Sequence, residues 1–90
     1  MAELDVELVA ADRSVWSGAA RAVNAPASEG QVGILPGHTP LLALLKGGVV
    51  HVTPTSGAAL DFTVTGGFLS VDADRVTIVA DSVETGRTPA

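Results

Sequence analysis

From Leu4 to Ala10 the chain reads LDVELVA, with Leu4, Val6 and Leu8 alternating with Asp5 and Glu7. A period of two puts apolar side chains on one face and carboxylates on the other, as in a strand that buries one side only. The same alternation returns in ARAVNAPA, GVVHVTP, ALDFTVTG, FLSVD and RVTIVAD, short segments rich in β-branched residues. Between them stand ADRS, ASEG, PTSG, TGG and DAD, clusters of the residues that turn a chain. Short strands at this spacing have to pair with one another, and the fold they specify is all-β: a flattened sandwich or barrel.

Ninety residues hold one core. A domain of that size buries only about 60–65% of the surface its unfolded chain exposes, so each core contact is a sizeable part of its stability. The chain is 47% apolar but has only two Phe and one Trp, so the interior is built from Val, Leu, Ala and Ile in thin layers. Trp16, Phe62, Leu69 and Ile78 lie in strand-like segments and are expected to be largely buried. LLALLK, confined between Pro40 and Gly47, is too short to gain helical cooperativity and reads as a strand buried on both faces. ETGRTPA has no apolar periodicity, which makes 1–84 the folded domain and 85–90 a flexible tail.

Charge and cysteine usage exclude several classes of function. Ten acidic against five basic side chains leave a net charge of −5, which opposes binding to nucleic-acid backbones and to anionic membrane surfaces. There is no cysteine, hence no disulfide or thiolate metal site. Glu3, Asp5 and Glu7 stand where a signal peptide carries its basic and apolar regions. The longest apolar run, Leu41 to Leu45, is too short to span a bilayer. The expectation is a soluble cytoplasmic protein with no direct membrane insertion.

Few constellations offer chemistry. His51 alternates with Val50 and Val52 and reads as a partly exposed strand residue. His38 lies between Gly37 and Thr39 in GILPGHTPLL, a loop braced by Pro36 and Pro40 that is open to three readings: a catalytic loop, an anion cradle, or a rigid corner offered to a partner. No Gly-x-Ser-x-Gly elbow surrounds any serine. Asp72 and Asp74 in VDADRV resemble a calcium loop superficially, but the loop glycine and distal glutamate are missing, and a hairpin turn fits better. Gly30, Gly33 and Gly37 lack the Gly-Lys-Ser/Thr of a phosphate loop and the long helix of a dinucleotide fold. A small hydrolase using His38 therefore has no nucleophile. A free-standing module binding a peptide or sugar has few aromatics with which to build a platform.

ASEGQVGILPGHTPLLALLKGGVVHV, followed by TGGFLSVDADRVTIVAD, is similar to the amino-terminal β-domain of the epsilon subunit of bacterial rotary (F-type) ATP synthases. The similarity runs over about residues 3 to 84, and LDVELVAADRSVWSGAARAVNAPA fits the family's opening strands. It implies a flattened β-sandwich of about ten short, mostly antiparallel strands. It also implies a non-catalytic rotor subunit that joins the gamma subunit to the c ring and supports proton-coupled ATP synthesis, peripheral on the cytoplasmic side of the bacterial plasma membrane. By position, His38, Thr39, Pro40 and Leu42 correspond to the gamma contact, and Ser28, Glu29, Gly30 and Gln31 to the loop facing the c ring. No cofactor, metal or small-molecule substrate is implied. The family's two carboxy-terminal helices and its Asp-x-x-Arg nucleotide motif have no counterpart here. The expectation is a chain that completes the rotor joint without ATP binding or the inhibitory switch.

Overall fold

The computed structural model describes residues 3–86. Its regular structure there is entirely strand: β1 (Leu4–Ala10), β2 (Arg13–Ala27), β3 (Gly30–Ile34), β4 (Leu41–Leu45), β5 (Gly48–Pro54), β6 (Leu60–Val64), β7 (Gly67–Asp72), β8 (Arg75–Ala80) and β9 (Val83–Gly86). These are nine strands rather than about ten, and one of them is not short. β2 runs for fifteen residues and belongs to two layers. Its first half pairs with β1 from Leu4↔Ala20 to Ala10↔Arg13. Its second half pairs with β3 on one edge and with β5 on the other. The register slips between Ala20 and Ala22, leaving Arg21 as a bulged residue where the strand passes from one sheet to the other.

One layer is therefore β2–β1–β8–β7–β4 and the other β3–β2–β5–β6–β9. The pairing is antiparallel throughout except between β1 and β8. β2 is rich in alanine near the crossing, and Ala20, Ala25 and Ala27 are buried, which allows the layers to approach closely there.

The alternation in β1 is realised directly: Leu4, Val6 and Leu8 are fully buried while Asp5 and Glu7 face solvent. The other large, fully buried side chains are Ile34, Leu69, Ile78 and a set of valines, and no polar side chain is buried among the described residues. Phe62, Leu69 and Ile78 lie inside as expected. Trp16 does not: it is only partly buried, packed against the core with its ring centroid 6.5 Å from that of Phe62. Its ring lies over Gly18, two residues along the same strand, where an added Cβ would stand 3.0 Å from the indole. A thin aliphatic interior has room for one aromatic ring and leaves the larger one at the margin.

β9 carries regular structure two residues past the boundary at 84, pairing Asp61↔Gly86 and Phe62↔Thr85. The remainder of the tail, 87–90, lies outside the described residues.

Candidate functional site

The corner that carries His38 is built by local chemistry. The His38 N–H donates to the Leu35 carbonyl at 3.1 Å, closing a four-residue turn. Pro36 stands at its second position, where a fixed φ is useful, and Gly37 at its third with φ 88°. That is the type II arrangement, whose third residue needs a positive φ. The Gly37 N–H points out of the turn and donates to Asp74 Oδ1 at 2.7 Å. The chain then passes through exposed Thr39 and Pro40 into β4.

The His38 ring is oriented by its neighbour, with Nδ1 lying 2.6 Å from the Thr39 carbonyl oxygen. A carbonyl only accepts, so Nδ1 carries the proton and Nε2 is left free of this contact. His51 Nδ1 meets Asp61 Oδ1 at 2.6 Å across the β5–β6 pair, on the exposed outer face of its sheet. Among the described residues no side-chain hydroxyl hydrogen-bonds either imidazole. The arrangement suits recognition, in which a held ring presents a known polar edge, better than nucleophilic attack.

Ser28 and Glu29 form the two-residue turn between β2 and β3, and together with Gly30 and Gln31 they are exposed. This loop is tied to β4 by a backbone hydrogen bond, Ser28 N–H to Leu44 C=O at 2.9 Å, and next to it Lys46 N–H, just past β4, donates to Pro26 C=O of β2 at 2.8 Å. β4 thus links the two sets of residues singled out from the sequence. His38, Thr39 and Pro40 lead into its start, Leu42 lies along it, and Ser28 is pinned near its end. A shallow groove between them is lined by Ser28, Glu29, Val32, Leu42 and Leu44.

β4 itself corrects an expectation. LLALL is not buried on both faces: Leu45 is inside, but Leu42 is 74% and Leu44 66% exposed. The outer side of this strand is open to solvent at both leucines. The register continues the exposed surface across the sheet, Leu44 beside Phe68, Phe68 beside Val79, and Val79 beside Val9. Phe68 is 42% exposed and the two valines half-buried. The parallel row through Asp72, Arg75 and Asp5 is charged, with Arg75 Nη2 3.8 Å from Asp5 Oδ2. One edge of the face is apolar, the other ionic.

Sequence reasoning found Leu42 but missed Leu44 and Phe68. A run of five apolar residues contains no polar residue to reveal which side faces water. Because these side chains are exposed, Leu44→Gln and Phe68→Gln are each expected to change the unfolding free energy by less than about 1 kcal/mol in urea titrations. The same variants should bind less of a hydrophobic dye. A loss of several kcal/mol would mean that the row is part of the core.

Three comparisons bear on this arrangement. Residues 3–86 match the family described as the ATP synthase delta/epsilon chain, β-sandwich domain. The chain is 55% identical over 86 residues to the ATP synthase epsilon chain of Micrococcus luteus, covering 96% of this chain and 94% of that one. It is 51% identical over 85 residues to the ATP synthase epsilon chain of Rhodococcus erythropolis, covering 93% of this chain and 70% of that one. The fold is similar to a chain in the cryo-EM structure of the Euglena gracilis mitochondrial ATP synthase comprising OSCP, F1 and c-ring. The TM-score is 0.88 at 23% identity, over 94% of this chain and 54% of that one, so this chain spans about half its length. A chain of the Tetrahymena thermophila mitochondrial ATP synthase central stalk and c-ring gives a TM-score of 0.77 at 22% identity, over 90% of this chain and 65% of that one.

Proposed function

The chain belongs to the ATP synthase delta/epsilon β-sandwich family, and on that premise we propose that it is a non-catalytic rotor component joining the gamma subunit to the c ring. The observation that carries this reading is the exposed apolar surface of Leu42, Leu44 and Phe68 beside a proline-braced corner. A domain with so small a core gains nothing for its own stability by leaving two leucines in water, and an exposed apolar patch marks a surface that a partner covers. In this reading His38, Thr39, Pro40 and Leu42 meet gamma, while Ser28, Glu29, Gly30 and Gln31 meet the polar loops of the c ring. Both sets hang on β4, so load applied at one is passed to the other through a hydrogen-bonded strand rather than a flexible linker. Pro36 and Pro40 reduce the entropy that docking would otherwise cost. On a bacterial enzyme the place of such a component is peripheral, at the cytoplasmic side of the plasma membrane, where it supports coupling of proton transport to ATP synthesis.

His38→Ala tests the corner. It is expected to weaken binding to purified gamma by roughly tenfold, the effect of truncating one central contact of about 1–2 kcal/mol. The midpoint of thermal unfolding should stay within a few degrees of the parent. Native mass spectrometry and calorimetry with gamma supply the two readouts. Lost stability with unchanged binding would make His38 a purely structural residue and remove it from the interface.

A further inference from the structure

We propose that Asp74 is the positioning residue of the His38 corner, holding it in its partner-facing geometry from the opposite hairpin; this rests on the reading of the corner as a contact surface. Six residues, 35–40, connect β3 to β4. Within them the turn is closed by its own His38-to-Leu35 bond, and the His38 ring is held by adjacent Thr39. Both are local and would survive if the whole loop swung as a body. Among the described residues, the Gly37 N–H to Asp74 Oδ1 bond at 2.7 Å is the one hydrogen bond that ties this segment to another element. Its partners are separated by 37 residues in sequence.

Asp74 is well founded for the task. It stands at the tip of the β7–β8 hairpin with φ 63°, in the left-handed region, which Asn, Asp and Gly tolerate best. Its own carbonyl accepts the Asp5 N–H at 2.8 Å, so the tip is fastened to β1. Its carboxylate is then aimed at the one amide that a type II turn leaves outside its own ring. A bond to an ionised acceptor is roughly twice as strong as a neutral one. Arg75 is paired with Asp5 rather than with this carboxylate. The corner is thereby referenced to β1, β7 and β8, the layer that also carries Phe68, so the imidazole and the exposed apolar row keep a fixed relation. Of the side chains suited to the backbone at 74, glycine has no acceptor; Asp and Asn supply both the conformation and the acceptor.

That last point defines the test. Asp74→Gly keeps the left-handed conformation and deletes the acceptor, whereas Asp74→Asn keeps both and deletes only the charge. Amide hydrogen exchange of the free chain reads the tether, and calorimetry with purified gamma reads its consequence. In Asp74→Gly the Gly37 amide is expected to exchange about tenfold faster or more, the loss of one charge-assisted hydrogen bond. Amides of the β7–β8 ladder should be unchanged, and gamma binding should weaken severalfold. Asp74→Asn, which keeps the weaker neutral bond, should fall between Asp74→Gly and the parent on both readouts. Unchanged Gly37 exchange in Asp74→Gly overturns the proposal, as does accelerated exchange with full gamma affinity while His38→Ala still weakens binding. If neither variant affects gamma binding, the reading of the corner as an interface fails instead, and the positioning role falls with it.

Discussion

Gly67→Ala is expected to remove about 4 kcal/mol or more of folding stability, about a third or more of what a domain of this size has. Gly67 opens β7 and is paired on both sides, with Leu45 of β4 and Ala80 of β8. Its φ is 136°, a backbone conformation that costs a side-chain-bearing residue about 1–3 kcal/mol. The space is also taken: an added Cβ would overlap the Val79 carbonyl oxygen and lie 2.8 Å from the Ala80 Cα. These neighbours are backbone atoms of a central strand, so relief means displacing β8 from β7 and from β1 together. A domain of ninety residues has only about 5–13 kcal/mol in total at the usual 0.05–0.15 kcal/mol per residue. Gly66 is the control. It too has a positive φ, 145°, but a Cβ there would meet nothing closer than 3.7 Å, so Gly66→Ala carries the strain without the collision. Chemical denaturation should therefore rank the two variants, with Gly67→Ala lower by more than about 1 kcal/mol. Equal midpoints would show that β8 yields easily and that the close approach is not structural.

Ile78→Ala is the second large effect, with an expected loss of about 2–5 kcal/mol. Ile78 is fully buried in β8, directly between Leu8 of β1 and Leu69 of β7, both also fully buried. Truncation opens a cavity in the middle of that row, and paired strands on either side limit how far it can collapse. The next residue along supplies the contrast. Val79 faces outward beside Phe68 and is half-buried, so Val79→Ala should cost less than about 1 kcal/mol. A one-residue slip of β8 would exchange these two effects, so measuring both also tests the register. An Ile78→Ala loss below about 0.5 kcal/mol would place the side chain outside the core.

How much of this was legible beforehand varies by element, for physical reasons. LDVELVA and GVVHVTP coincide with β1 and β5 because Asp5 and Glu7 alternate with Leu4, Val6 and Leu8, and His51 and Thr53 with Val50 and Val52, which marks both the strand and the face it buries. The first half of β2 is harder to read. Ser14, Ser17 and Gly18 give little contrast with Val15 and Trp16, and the strand is made by its pairing with β1. In β4 the strand was legible but its facing was not, since Leu41 to Leu45 present apolar groups on both sides and only the neighbouring layers determine which side is covered. The corner was legible as a rigid turn because proline and glycine act on their own backbone. The residue that anchors it was not: the local signal in VDADRV marks Asp74 as a turn residue, which it is, with φ 63°. Its carboxylate is committed to an amide 37 positions away.

Strand periodicity, turn positions, the aliphatic core and the family are written in the residues themselves, because these are set by each residue and a few neighbours and survive any arrangement of the whole. It takes the packed fold to show that β2 serves both layers, that one face of β4 stays open, that Trp16 remains at the margin, and that Gly37 of the corner bonds to Asp74. Burial depends on what every other segment leaves uncovered. A side-chain bond to a distant amide exists only once the β3–β4 corner and the β7–β8 hairpin have been brought together by a core in which neither residue takes part.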